Sequence, residues 1–346
     1  MDRLSQGCVL GVGQPLLDYL THVDDDVYVK YQLKKDNAIL DKGEHAPLFE
    51  ELVRQYEVQY EAGGAGLNTI RMIQWILKKP HACAFVGCVG VDDAADILRV
   101  ECEKVGVRVK FFLAADGIST GKCAVLLQYR FRSMVTHLGA SKELTLEHVR
   151  SNDVWPMVER ARLMYVTGYM LNCCQDGVKE LAKHAHNNGK MFCFNFGASY
   201  ILTYLTNYVD DLLPYVDILF CNRDEAKAYA EKHGLKGQSV GTIAQHLASI
   251  PQIAGHRNKR IILITQETDP VIVTTSADKI VRRYPVTTVA SNDLVDTNGA
   301  GDAFAAGFIA DYMTNMLIDT AVNAGLKAAR YIVQKSGFTL GPRDQY

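Results

Sequence analysis

The chain has 346 residues and a formal net charge of −2, with acids and bases interleaved and no basic block, so nucleic acid is excluded as the main expected partner. The opening MDRLSQGCVLGVG has no charged leader followed by a long apolar run, and no later stretch is long enough to span a bilayer. The expectation is a cytoplasmic monomer with no membrane partner.

CVLGVG (8–13) reads as a buried strand. It exits through Gln14 and PLLD to Asp18, and the exit of a parallel strand is where ligands sit in α/β sheets. Asp18 is therefore a candidate ligand contact, although a lone Asp there also suits a solvated turn. From Thr21 to Tyr60 charges dominate, with one helix-like run, PLFEELVRQYE, and no strong buried strand. AGGAGLN (62–68) then opens an apolar helix with Leu67, Ile70, Ile73 and Leu77 at helical spacing. Glycines ahead of a helix allow close backbone approach to a ligand, and they are also common turn signals.

HACAFVGCVG (81–90) reads as a buried strand and DDAADILRVECEKVG (92–106) as the helix after it. GKCAVLLQYRF (121–131) and SMVTHLG (133–139) read as adjoining strands of a hairpin around Arg132. With residues 18–62 they would form a small sheet over the mouth of the main one. Such a lid excludes water from a transferable phosphate, and Arg132 at its turn supplies positive charge there; the plain alternative is a solvated arginine. After Ser141 the strands RLMYVTGY, KMFCFNFG, VDILFCN, RIILIT and PVIVTT alternate with helical stretches, which points to a parallel sheet with helices on both faces.

VDILFCN runs into Asn222-Arg223-Asp224-Glu225. Asn222 and Glu225, three apart at a helix start, can face one hydrated magnesium ion; as an isolated tetrapeptide the same residues are an N-cap with an acidic first turn. His184 and His186 are poorly spaced for one helical face and read as surface residues, and KHGLKGQSVG as a surface excursion. The nine cysteines lack zinc-site spacing and read as reduced thiols. Near the end, LVDTNGAGDAFAAGF (294–308) passes from apolar residues through a glycine turn into a helix. Free amides and the dipole at a helix start attract phosphate, so Asp302 is out of place in a site that only binds anions. As a base for an attacking hydroxyl it would be useful; as a helix cap it would be ordinary. DTAVNAGLKAARYIVQKSG closes the chain as a core helix.

Together AGGAGLN, NRDE and DTNGAGD resemble the ribokinase-like (PfkB) family of carbohydrate and nucleoside kinases. PLLD, YEAGGAGLNTIRMIQWILKKP, FVGCVGVD, LPYVDILFCNRDEA and VDTNGAGDAF are most similar to segments of its adenosine-phosphorylating members. The resemblance implies a three-layer α/β/α domain with a central, mostly parallel sheet (1–17, 63–115 and 141–346) and a small β-rich lid domain (18–62 and 116–140). It also implies ATP-dependent phosphorylation of the adenosine 5′ hydroxyl to give AMP, in purine salvage. Mg2+ would be required, with room for a monovalent cation such as K+.

By the same resemblance Asp302 is the catalytic base, Gly299, Ala300 and Gly301 form the anion hole, and Arg132 reaches the phosphates from the lid. Gln14, Asp18, Gly64, Ala65, Asn68, Cys123, Met134, Met170, Tyr200 and Asn298 would surround the nucleoside. Asn195, Asn222, Glu225, Thr265, Gln266 and Glu267 would border ATP, with Asn222 and Glu225 holding Mg2+ through water. The chain departs from the family where Gln14 replaces Asn, NFGASY (195–200) replaces NLSAPF, and Met170 stands where an aromatic often stacks on the base. Glu267 takes the place of Gly beside the nucleotide, where a carboxylate repels phosphates unless it faces solvent. Ala94-Ala95 replaces Phe-Gly, with no interpretation. These departures keep open a nucleoside-binding paralogue with little or no kinase activity, or a kinase for another nucleoside or a free sugar.

Overall fold

The computed structural model describes residues 4–35, 37–128, 131–290, 292–342 and 346. Nine strands form one sheet in the order Arg282–Tyr284, Asp269–Thr275, Ile261–Gln266, Ile218–Asn222, Met191–Asn195, Leu163–Thr167, Val9–Val12, Cys83–Val89 and Arg108–Leu113. Pairing is parallel from Arg108–Leu113 through to Ile261–Gln266. Val9–Val12 is buried at every position, as expected for a parallel strand covered by helices on both faces. One core holds Leu67, Ile70, Phe304, Phe308 and Val322; the other, across the sheet, holds Val166, Val178, Phe194 and Leu219. The chain first builds outward from Val9–Val12 on one side and then on the other. The carboxyl ends of the strands beside it therefore open the crevice where α/β sheets bind ligands.

The expectation of a helix between RIILIT and PVIVTT needs correction. Ile261–Gln266 and Asp269–Thr275 are an antiparallel hairpin, with Glu267 left-handed at its tip (φ 55°). Two residues cannot carry a crossover, so so short a link forces antiparallel pairing.

A second sheet has the order Ala38–Leu40, Phe131–His137, Lys122–Gln128, Leu16–His22 and Gln59–Gly63. Leu16–His22 is a strand where a turn is expected after CVLGVG, and Asp25–Lys30 adds a short helix to Ala46–Gln55. The strand was masked by polar residues inside it that the sheet satisfies: Thr21 Oγ1 donates to the Glu57 carbonyl at 2.8 Å. Arg132 is not at the hairpin turn. It lies within Phe131–His137, opposite Leu127, and residues 129–130 fall outside the described residues. His184 and His186 are half-buried rather than surface groups, against Trp155 and His256 respectively. Among the described residues, no helix is long and apolar enough to cross a membrane.

Arg260, just before Ile261–Gln266, is fully buried. It donates to the carbonyls of Val216, Leu247 and Ile250 at 2.8–3.1 Å and also to that of Leu213. Burial lowers its pKa to about 10, so it stays charged at neutral pH. Arg260→Ala leaves these carbonyls buried and unpaired; urea denaturation is expected to show a loss of about 3 kcal/mol or more.

Candidate active site

The run from Leu294 folds as a loop feeding the helix Ala300–Asn315. Gly299 is its N-cap, with φ +73°, and a Cβ there would fall 2.5 Å from the Phe338 ring, so the turn requires glycine. No side chain caps this helix. Its first-turn amides and positive dipole end stand at the edge of the cleft, an arrangement suited to anions. A Cβ at Gly301 would meet no protein atom within 4 Å, because Gly301 borders the opening. Asp302 lies inside the first turn and is not the cap. Asn68 Nδ2 donates to its Oδ2 at 3.5 Å, and Thr69 Oγ1 donates to its carbonyl at 3.4 Å. The helix opened by AGGAGLN thus aims the carboxyl from below. Burial pushes the Asp302 pKa up to about 8; the bond from Asn68 works the other way, while the charges of Glu225 and Asp18 add to the rise.

Asp18 sits on Leu16–His22 with Glu61 and Cys123 as its cross-strand neighbours. A Cβ on Gly63 would overlap the Asp18 carboxylate, which explains why small residues are needed there. Asp18 is raised to about 7, mainly by burial, against the lowering effect of Arg132. Gly64, also left-handed, packs against the Gln14 carbonyl, and Gln14 Nε2 donates to Cys173 Sγ at 3.7 Å. Cys123, Met134 and Leu20 make a small apolar cluster on the same sheet. Met170, assigned to the nucleoside by resemblance, is fully buried and packs with Leu171 in the core. Tyr200 is partly exposed, and its hydroxyl accepts from Asn172 at 2.8 Å.

A cleft of about 250 Å³ is lined by Ala65, Asn195, Asn222, Glu225, Thr265, Asn298, Gly299, Gly301 and Asp302. Asn195 is oriented by donating to the Tyr165 hydroxyl and accepting from Gly197 N, each at 3.1 Å. NRDE forms the N-cap of its plainer reading. Asn222 Oδ1 accepts from Glu225 N at 2.8 Å, and Glu225 accepts from the Asn222 backbone and side chain at 3.0 and 2.9 Å. The capping box thereby fixes both side chains at the cleft wall. Burial raises Glu225 to about 7.

Glu225 and Asp302 face one opening and disfavour each other's charge, which is the electrostatic setting a divalent cation relieves. Among the described residues no group of three or more His, Cys, Asp or Glu side chains is placed to hold a metal ion directly. Gln266 Nε2 donates to the Pro270 carbonyl at 2.5 Å, and Glu267 is exposed at the hairpin tip, where its carboxylate has solvent to face.

Two residues with no role in the sequence reading emerge. Asp296, inside the quoted DTNGAGD, forms an ion pair with Arg132, both side chains being largely buried. Its Oδ1 also accepts from Asn298 N at 2.9 Å. The small sheet therefore touches the glycine loop through opposite charges. Tyr169, next to Met170, lines the cleft and donates to the Gly197 carbonyl at 2.7 Å. Membership of the glycine motif was a usable signal for Asp296; nothing local marks Tyr169.

A raised carboxyl pKa means that the folded state holds its proton more tightly than the unfolded chain does. The resulting stability is complete below about pH 4, the unfolded value, and is lost as pH rises toward 8. Asp302→Asn removes that loss. The mutant's melting temperature is expected to match that of the unmodified protein near pH 4 and to exceed it increasingly up to pH 8, as followed by calorimetry without ligands.

The family described as pfkB family carbohydrate kinase matches residues 29–344. Adenosine kinase 2 of Arabidopsis thaliana is 34% identical over 340 residues, covering 98% of this chain and 97% of the relative. The structure of adenosine kinase from Schistosoma mansoni in complex with 2-fluoroadenosine superposes with a TM-score of 0.93 at 42% identity, covering 99% of this chain and 100% of the other. The same enzyme in complex with adenosine and AMP gives 0.91 at the same identity, with the same coverage of both chains.

Proposed function

This chain belongs to the pfkB family of carbohydrate kinases, and we propose that it transfers the γ-phosphoryl group of ATP to the 5′ hydroxyl of adenosine, giving AMP. The observation that carries the reading is the Asp302 carboxyl, aimed by Asn68 into a cleft at an uncapped helix start. Its relatives' names and complexes supply the nucleoside: adenosine kinases over nearly the whole chain, one of them with adenosine and AMP.

Asp18 and Asn68 hold the ribose, with Gln14, Gly64 and Ala65 at its border. Asp302, once ionised, accepts the proton of the 5′ hydroxyl as that oxygen attacks. The amides at Gly299, Ala300 and Gly301 take up the negative charge on the transferring group. Arg132 brings the lid's positive charge to the same place. Asn222 and Glu225 would hold hydrated Mg2+, which when bound neutralises phosphate charge. Residues 18–62 and 116–140 act as the lid, and the reaction takes place in the cytoplasm on a monomer, as a step of purine salvage. The departures at Gln14 and in NFGASY favour no other acceptor on this geometry: the Gln14 amide is anchored on Cys173, and Asn195 keeps its orienting bonds.

AMP and ADP formation with adenosine, inosine and ribose as acceptors tests the reading. Adenosine is expected to be strongly preferred; binding of adenosine with no AMP formed at high enzyme concentration would overturn it. In the same assay Asp302→Asn should lower kcat by about 10²- to 10⁴-fold, the usual span for a general base, with adenosine affinity by calorimetry little changed. Gly301→Ala places a methyl group in the opening without touching protein. Its melting temperature should stay put while kcat/KM for ATP falls by roughly tenfold or more, the scale of a disturbed oxyanion site.

A further inference from the structure

The segment after the terminal helix Ile318–Ile332 touches both halves of the site. On one side, the Val333 carbonyl accepts from the amides of Val295 and Asp296 at 2.9 and 3.1 Å, and the buried Phe338 ring fills the space beneath Gly299. On the other side it meets Glu61, in the lid-edge strand Gln59–Gly63. Thr339 Oγ1 donates to Glu61 Oε1 at 2.8 Å, the backbone of Phe338 also bonds to this carboxylate, and a Cβ on Gly337 would overlap Glu61 Oε2. Glu61 is itself the cross-strand neighbour of Asp18. An unbroken run of contacts thus leads from the sugar-facing strand, through Glu61, Thr339 and Phe338, to the N-cap of the anion-site helix. A cavity of about 550 Å³ adjoins Glu61, Thr339 and Leu340, so the polar bonds are not backed by dense packing there.

We infer that Glu61 is a positioning residue: by holding the strap 337–339 against the lid edge, it seats Phe338 under Gly299 and sets the geometry of the anion-site amides. The inference rests on the kinase reading for its kinetic consequence only. Misplacing such donors by a fraction of an ångström affects the transition state more than the bound nucleoside. Glu61 touches no reacting atom; its effect passes through the strap. The carboxylate is used for its two acceptor oxygens, so an amide, which keeps one of them, restores part of the bonding.

The test uses Glu61→Ala, Glu61→Gln and Thr339→Val in the full chain; Thr339 is exposed, so its variant separates strap release from misfolding. For Glu61→Ala and Thr339→Val, kcat should fall by about tenfold with the adenosine Kd within about twofold, as expected for donor misplacement. Glu61→Gln should recover most of the loss. The Glu61→Ala/Thr339→Val double variant should be no slower than Glu61→Ala alone, since both break one link. Hydrogen exchange gives a readout independent of any activity: amides of residues 295–304 should exchange faster in both single variants. Unchanged exchange there, multiplied kinetic losses in the double variant, or kcat and adenosine affinity falling together would overturn the inference. If the unmodified protein makes no AMP, the kinase reading fails, while the exchange result still decides the strap.

Discussion

Three carboxyl groups in one crevice impose the constraint around which the site is arranged. Asp302, Asp18 and Glu225 each have a pKa moved up to about 7 or 8 by burial, and Asp302 feels the charges of the other two. No protein gains stability from such an arrangement. It persists because surrounding elements supply what the carboxyls lack: a helix dipole and Asn68 for Asp302, Arg132 near Asp18, and a capping box for Glu225. The parallel sheet makes this possible by ending its central strands on one edge, so that residues far apart in sequence meet without a long loop.

Much of the fold was legible because its signals are local and periodic. The apolar runs at 8–13, 81–90 and 191–197 each became a buried strand, and Asp92 caps the helix read from 92 onward. Where tertiary pairing overrides local pattern, the reading failed. Leu16–His22 is amphipathic only relative to a sheet assembled from three separate parts of the chain, and the hairpin at Glu267 depends on a left-handed residue that glutamate rarely supplies. Arg132 lies inside the second strand of its hairpin rather than at the turn for the same reason: hairpin register is fixed by the pairing partner, not by charge.

The site divides along similar lines. Asp302, the glycines around it, Asn68, Asn222 and Glu225 carry their positions in short motifs, because backbone geometry at a helix start is a local matter. Met170, on a short 3-10 turn, packs into the core. Tyr169, its neighbour, enters the cleft instead. Asp296 was visible as a letter in a motif, yet its partner lies 164 positions away on another sheet, which no spacing rule reaches.

That ion pair has a consequence for charge flow. Between turnovers the guanidinium of Arg132 already has a carboxylate counter-ion, so it is never left bare in a low-dielectric crevice. On the kinase reading, an arriving phosphate does not recruit a solvated cation but exchanges with Asp296, which keeps the Asn298 amide as its own donor. On that reading the crevice would work as an anion exchanger whose resident anion belongs to the chain itself.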